Sequence, residues 1–224
     1  MPHLPAGRGT LNLPGRQHIG SAGRPIPGCS VRIAEDGEIL MKGPHVFPGY
    51  WQNEAATAAA LSPDGWLSTG DVGHLDDEGF LFITGRKKDL LVTSAGKNVA
   101  PAGLEDRLRE HWLISQAFVV GDARPYIAAL LTLDDTALTT WKALHGRPAD
   151  EELPTLLASP DMHSALQEAV DQANAVVSHA EAIKRWSVLP HDFSQDRDKL
   201  TPTLKVRRQR VTSEYADDIE RLYS

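Results

Sequence analysis

The spacing of apolar residues changes at "GRKKD", Gly85 to Asp89, and a chain that changes period there must build different structures on its two sides. Upstream, "CSVRIAEDGEILMKG" sets Val31 and Ile33 against Ile39 and Met41 across Asp36-Gly37, which predicts a β-hairpin. "GYWQNEAATAAAL" (residues 49–61) predicts a short alanine-rich helix, and "SPDGW" a turn into a strand at Trp66-Leu67-Ser68. "GHLDDEGFLFITG" repeats the hairpin pattern about Asp77-Glu78-Gly79, with Phe80 and Phe82 alternating against Leu81 and Ile83. Residues 1–28, rich in Gly, Pro and Arg and without periodicity, read as loop.

Downstream the period lengthens. Leu104, Leu108 and Trp112 predict an amphipathic helix over "PAGLEDRLREHW" (residues 101–112), with Pro101 at its start. "AFVVG" and "IAALLTL" read as adjacent buried strands. Ser159-Pro160 opens a long helix through Met162, Leu166, Val170, Ala173 and Val177. "RWSVLP" is a last strand and "SEYADDIERLY" a closing helix. The expected fold class is α+β: an irregular segment at 1–28, a β-rich part at 29–87 and an α+β domain at 88–224.

Composition narrows the function. At 41% hydrophobic and 24% charged the chain is ordinary globular material, and a net charge of −7 argues against a dedicated nucleic-acid binder, which needs a clustered positive surface. One cysteine, Cys29, builds neither an internal disulfide nor a multi-thiolate metal site, which fits a reducing compartment. "YIAALLTL" is too short to span a bilayer, so no transmembrane segment is expected, and a cytoplasmic protein, at most peripheral to the membrane, is.

Four short motifs carry chemistry. "STGD" places Asp71 where its carboxylate either closes an Asx turn between strands or accepts from the vicinal hydroxyls of a ribose. In "GRKKD", Arg86 offers five fixed donors to a ribose or phosphate oxygen and Lys88 sits at a junction, unless the run is a solvated turn. "TSAGKNVAP" is not a phosphate loop, because Leu91 and Asn98 stand where a glycine and a Ser or Thr are required; what remains is a flexible loop at Gly96 and Lys97 before a helix. "LTPTLKVRRQR" ends in a basic stretch whose Lys205 either is solvated or reaches a carboxylate and an α-phosphate.

The order "GYW", "DGWLSTGD", "GFLFITGRKKDLLVTSAGKNVAPAGLED", "LTPTLKVRR" resembles the C-terminal part of adenylate-forming (AMP-binding) enzymes, particularly bacterial long-chain fatty acyl-CoA ligases. The resemblance runs from about Thr10 onward. It implies a β-rich remnant of the large-domain barrel followed by a small mobile α+β domain. It also implies ATP-dependent acyl adenylation followed by thioester formation with CoA, with fatty acid, ATP/AMP, CoA and Mg2+ as partners. On that resemblance Asp71 and Arg86 hold the AMP ribose and Lys88 is the hinge. Lys205 bridges carboxylate and α-phosphate, and Gly96 and Lys97 belong to the thioester or CoA loop. No metal ligand is assigned, because the family's magnesium-binding glutamate segment and its Ser/Thr/Gly-rich phosphate loop do not occur in these 224 residues. The chain is therefore expected to be a fragment that does not adenylate by itself, with a separately encoded N-terminal portion as a candidate partner. The alternatives are a non-enzymatic module that docks on such a portion, or an adenylation-domain fragment for another acid.

Overall fold

The computed structural model describes residues 9–194, 198–201 and 206–224. The chain divides into two compact units, residues 1–89 and 90–224.

The first unit opens with β1 (Thr10–Leu11) paired antiparallel to β2 (Arg24–Pro25), a short ladder within the segment that reads as loop. β3 (Ser30–Ile33) and β4 (Glu38–Lys42) form the expected hairpin, with Ile33 opposite Ile39. α1 (Glu54–Ala60) is capped by Asn53, whose side chain accepts from the Ala56 N–H at 3.0 Å. β5 (Leu67–Leu75) and β6 (Leu81–Arg86) complete an antiparallel sheet of order β3-β4-β5-β6. Its buried side includes Ile39, Leu67, Val72 and Leu81.

β5 corrects the expected turn at Thr69-Gly70-Asp71. The strand runs unbroken from Leu67 to Leu75, and the irregularity is absorbed as register shifts against both neighbours, between Glu38 and Leu40 and between Val72 and Gly73. Two glycines allow this. Gly70 has φ +71°, and at Gly73 a Cβ would stand 2.0 Å from the Phe82 carbonyl oxygen. β6 leads into a single 3-10 turn over Lys87–Asp89.

The second unit begins with a small hairpin, β7 (Leu91–Val92) and β8 (Asn98–Val99). There follow α2 (Pro101–Arg109), β9 (Ile114–Val120), β10 (Ile127–Leu133), α3 (Asp135–Leu144), α4 (Leu153–Leu157), α5 (Pro160–Asn174), β11 (Ile183–Val188), α6 (Arg208–Glu214) and α7 (Ala216–Arg221). The sheet order is β11-β10-β9, with β10 antiparallel to β9 and parallel to β11 across the crossover formed by α3, α4 and α5.

All seven residues of β10 are buried, as an unbroken apolar run in a central strand requires. Alternate residues serve opposite faces. Ile127, Ala129, Leu131 and Leu133 join the core under α2 and α5, while Ala128 and Leu130 join Phe118, Val211 and Ile219 under α6 and α7.

Helix ends differ from the periodicity. α2 stops at Arg109, so Trp112 is 51% exposed and Leu113 fills the core place instead. α5 stops at Asn174, before Val177. The closing helix breaks at Tyr215 into α6 and α7. α3 and α4 were not expected; Asp134 caps α3 by accepting from the Ala137 N–H at 2.8 Å, and α3 buries Trp141.

Lys88 is exposed at the end of the first unit. Brief trypsin treatment is expected to cut after Lys88 and leave a resistant piece of about residues 89–224, read by mass spectrometry. Digestion of that piece as fast as the intact chain disappears would contradict its independent folding.

Candidate functional site

The β5–β6 ladder sets Asp71 directly opposite Arg86, at the end of the paired region. Arg86 Nε lies 2.7 Å from Asp71 Oδ1, the carboxylate 29% and the guanidinium side chain 42% exposed. The pair is thus formed within the protein yet open to a ligand.

The Asp71 carboxylate closes no Asx turn. The Asp71 N–H donates to Thr69 Oγ1 at 3.1 Å, and the Thr69 hydroxyl donates to the Ile39 carbonyl at 2.7 Å. The Gly70 N–H donates to Glu38 Oε1 at 2.9 Å. With these donors met by Thr69 and Glu38, the Asp71 carboxylate has Arg86 as its one partner among the described residues, and Oδ2 keeps its acceptor capacity.

Glu38 is 7% exposed. Its second oxygen, Oε2, is 2.7 Å from Lys87 Nζ, which also stands 2.6 Å from Asp36 Oδ2. Hydrogen bonds to Asp36 and then Glu38 push the Lys87 ammonium up to about 12. The same Lys87 contact, helped by the Glu38 N–H, holds the Asp36 carboxyl below its ordinary value. The Lys87 contribution is therefore complete below its ordinary pKa and disappears as pH rises through about 12, while that of Asp36 is present at neutral pH and disappears in acid.

Lys88, the residue after this clamp, is exposed and forms no ion pair among the described residues. Gly96 and Lys97 lie in the second unit, at the β7–β8 turn. Backbone hydrogen bonds hold this turn. Thr93 N–H donates to the Lys97 carbonyl at 3.0 Å, Gly96 N–H to the Thr93 carbonyl at 2.8 Å, and Ser94 N–H to the Arg124 carbonyl at 2.9 Å. Gly96 supplies φ +78° there. Lys97 Nζ is 3.3 Å from Glu181 Oε1. Burial works against the Glu181 carboxylate, but the Ser178 hydroxyl and N–H, with Lys97, outweigh it and hold the carboxyl below its usual value. Lys205 lies outside the described residues.

The structure therefore brings Asp71 and Arg86 together in one unit and holds Gly96 and Lys97 in the other. It adds Thr69, Glu38 and Lys87 to the first site. In the sequence Glu38 is only an acid beside the Asp36-Gly37 turn, followed by the apolar run Ile39-Leu40-Met41, which gives no local sign of its role.

Among the described residues no group of three His, Cys, Asp or Glu side chains could hold a metal ion. The two acids beside the site, Asp36 and Glu38, share the Lys87 ammonium instead. These residues do not fit Mg2+. The carboxylate–guanidinium pair fits a vicinal diol, since Asp71 accepts two hydroxyl protons and Arg86 offers further N–H donors to their oxygens. No helix among the described residues is long and apolar enough to cross a membrane.

The Glu181 contacts give a pH dependence. Because its carboxyl is held low, they are present at neutral pH and lost as pH falls through that lowered value. The Ser178 amide, bonded to Glu181 Oε2, should show hydrogen-exchange protection that acid removes and that Glu181→Gln reduces at neutral pH. Equal protection in variant and wild type would contradict this.

Residues 88–224 match the family model described as AMP-binding enzyme C-terminal domain. Over 206 residues the chain is 53% identical to the long-chain-fatty-acid–CoA ligase FadD15 of Mycobacterium tuberculosis, an overlap of 92% of this chain and 34% of the relative. It is 35% identical to the long-chain-fatty-acid–CoA ligase ACSBG2 of Xenopus laevis, over 97% of this chain and 32% of that protein. Among solved structures it resembles the O-succinylbenzoate coenzyme A synthetase MenE of Bacillus subtilis in complex with AMP, at 28% identity and a TM-score of 0.58, over 87% of this chain and 35% of that one. The chain spans about a third of the length of the curated relatives it matches.

Proposed function

The chain belongs to the adenylate-forming, AMP-binding enzymes, and from that premise we propose that it supplies the ribose grip, hinge and mobile domain of a long-chain fatty acid–CoA ligase. In the reaction, the fatty-acid carboxylate displaces pyrophosphate from the α-phosphate of ATP. The CoA thiol then displaces AMP from the acyl carbonyl.

The observation that carries this reading is the Asp71–Arg86 pair, whose carboxylate takes no hydrogen bond from the backbone of its own strand. Asp71 accepts from the two ribose hydroxyls. Arg86, its Nε 2.7 Å from Asp71 Oδ1, orients the carboxylate as an ion-pair partner and keeps donors for ribose or phosphate oxygen. Lys88 is the point at which residues 88–224 turn between the two half-reactions, residues 29–87 being the end of the large domain. Lys97 serves the second half-reaction with Gly96. Its ion pair with Glu181 is half-exposed and worth about 0–1 kcal/mol, so it exchanges readily for a ligand contact. Lys205 brings an ammonium to the carboxylate and α-phosphate, where negative charge grows during adenylation. The 53% identity with FadD15 favours fatty acid over other acids.

Pyrophosphate departs only where phosphate charge is neutralised; the sequence has no glycine-rich phosphate loop, and the described residues include no group of three His, Cys, Asp or Glu that could hold a metal ion. The 224-residue chain supplied with palmitate, ATP, Mg2+ and CoA should release no pyrophosphate above background. Robust release would overturn that part of the proposal.

Joined to the phosphate-binding portion of a FadD15-type ligase, the chain tests the residue roles. Lys205→Ala should suppress acyl-AMP formation and spare conversion of supplied acyl-AMP to thioester. Asp71→Ala should slow both steps by tens-fold or more, since each lost charge-assisted hydrogen bond costs about 1.5–3 kcal/mol. Equal loss of both steps in Lys205→Ala would remove its assigned role, and wild-type rates in both variants would favour a docking module without catalytic residues.

A further inference from the structure

We infer that Glu38 is the positioning residue of the nucleotide site: its two carboxylate oxygens hold the two strands that present Asp71 and Arg86. The inference rests on the reading of that pair as the ribose grip.

Asp71 opposite Arg86 is the terminal pair of the β5–β6 register, and the register shifts between Val72 and Gly73 beside it. A terminal rung next to an irregularity is poorly fixed by the ladder itself. Both chain ends that leave it are fixed by Glu38. Oε1 accepts the N–H of Gly70, the residue before Asp71, and Oε2 accepts the ammonium of Lys87, the residue after Arg86. The φ of +71° at Gly70 belongs to this arrangement. Glu38 is buried and sits on β4, the strand that forms the other neighbour of β5, so it is itself held within the sheet. Asp36 shares Lys87 but touches neither Gly70 nor the Asp71–Arg86 pair.

Glu38 touches no nucleotide in this scheme. It acts through Asp71 and Arg86, setting the spacing of carboxylate and guanidinium before a ribose arrives, and pre-organisation of that kind appears as affinity. The clamp also ends on Lys87, one residue before Lys88. A turn of the chain at Lys88 therefore leaves the ribose grip in place, as a site used in two successive half-reactions requires.

The test uses the whole 224-residue chain and nuclear magnetic resonance. The first readout is the exchange rate of the Arg86 Nε–H without nucleotide. The second is affinity for AMP and for 2′,3′-dideoxy-AMP, which lacks both ribose hydroxyls. Glu38→Ala should speed the Arg86 Nε–H exchange and weaken AMP by about tenfold while leaving the dideoxy nucleotide unchanged. Glu38→Gln keeps an acceptor for Gly70 and should lose less. Lys87→Met, which frees the other arm, should also lose affinity for AMP alone. Should Glu38→Ala not fold, Glu38→Gln and Lys87→Met decide the matter.

Wild-type exchange and wild-type AMP affinity in folded Glu38 variants would overturn the inference, as would equal weakening of both nucleotides. The underlying reading fails separately. If AMP and its dideoxy analogue bind the wild type alike while Glu38→Ala still loosens Arg86, the ribose assignment falls and the positioning role stands. If Asp71→Ala abolishes the preference for AMP and the Glu38 variants keep it, the ribose assignment stands and the positioning role falls.

Discussion

Glu38 places a carboxylate at 7% exposure, where a charge without donors would cost several kilocalories per mole, and the first unit is arranged to supply those donors. One comes from the backbone of Gly70 and one from Lys87. Because Gly70 must turn its N–H toward Glu38, β5 carries a positive-φ residue in mid-strand and slips register on both sides without ending. Because Lys87 must reach back to β4, the chain leaving β6 is held in a 3-10 turn. Asp71 and Arg86 face each other between these two fixed points, and the site's geometry follows from satisfying one buried acid.

The second unit is held by a different means. Its central strand, β10, is buried on both faces, so the helices of the crossover and those at the C-terminal end pack on opposite sides of one sheet. The β7–β8 turn is tied to the segment between β9 and β10, through Ser94 to Arg124 and through Val92 to Asp122. Gly96 and Lys97 are thereby tied by hydrogen bonds to the rest of the second unit. That suits a domain whose part in the proposed reaction is to move as a whole at Lys88.

Much of this was readable from residue order. Period-two alternation marks β3–β4 and the β5–β6 hairpin, "IAALLTL" marks a strand covered on both faces, and Ser159-Pro160 marks the start of α5. The motifs that name Asp71 and Arg86 are contiguous and so visible. What could not be read depends on contacts distant in sequence. Lys87 meets Glu38 across 49 positions, and nothing local distinguishes Glu38 from an ordinary hairpin acid. Without that contact Thr69-Gly70-Asp71 looks like a turn, since positive-φ glycine is commoner in turns than inside strands. Trp112 continues the spacing of Leu104 and Leu108, yet the helix ends at Arg109 and Leu113 takes the buried place. α3 is rich in threonine, so its helical period is faint, and its Asp134 cap and buried Trp141 become evident only with the sheet beneath them.

The most direct test of the account is an experimental structure of the chain with AMP. It should place the two ribose hydroxyls within about 3 Å of the Asp71 carboxylate, with Arg86 still on Asp71 and the Gly70 N–H still on Glu38. A ribose bound away from Asp71, or an Asp71 side chain turned back onto its own strand, would contradict it.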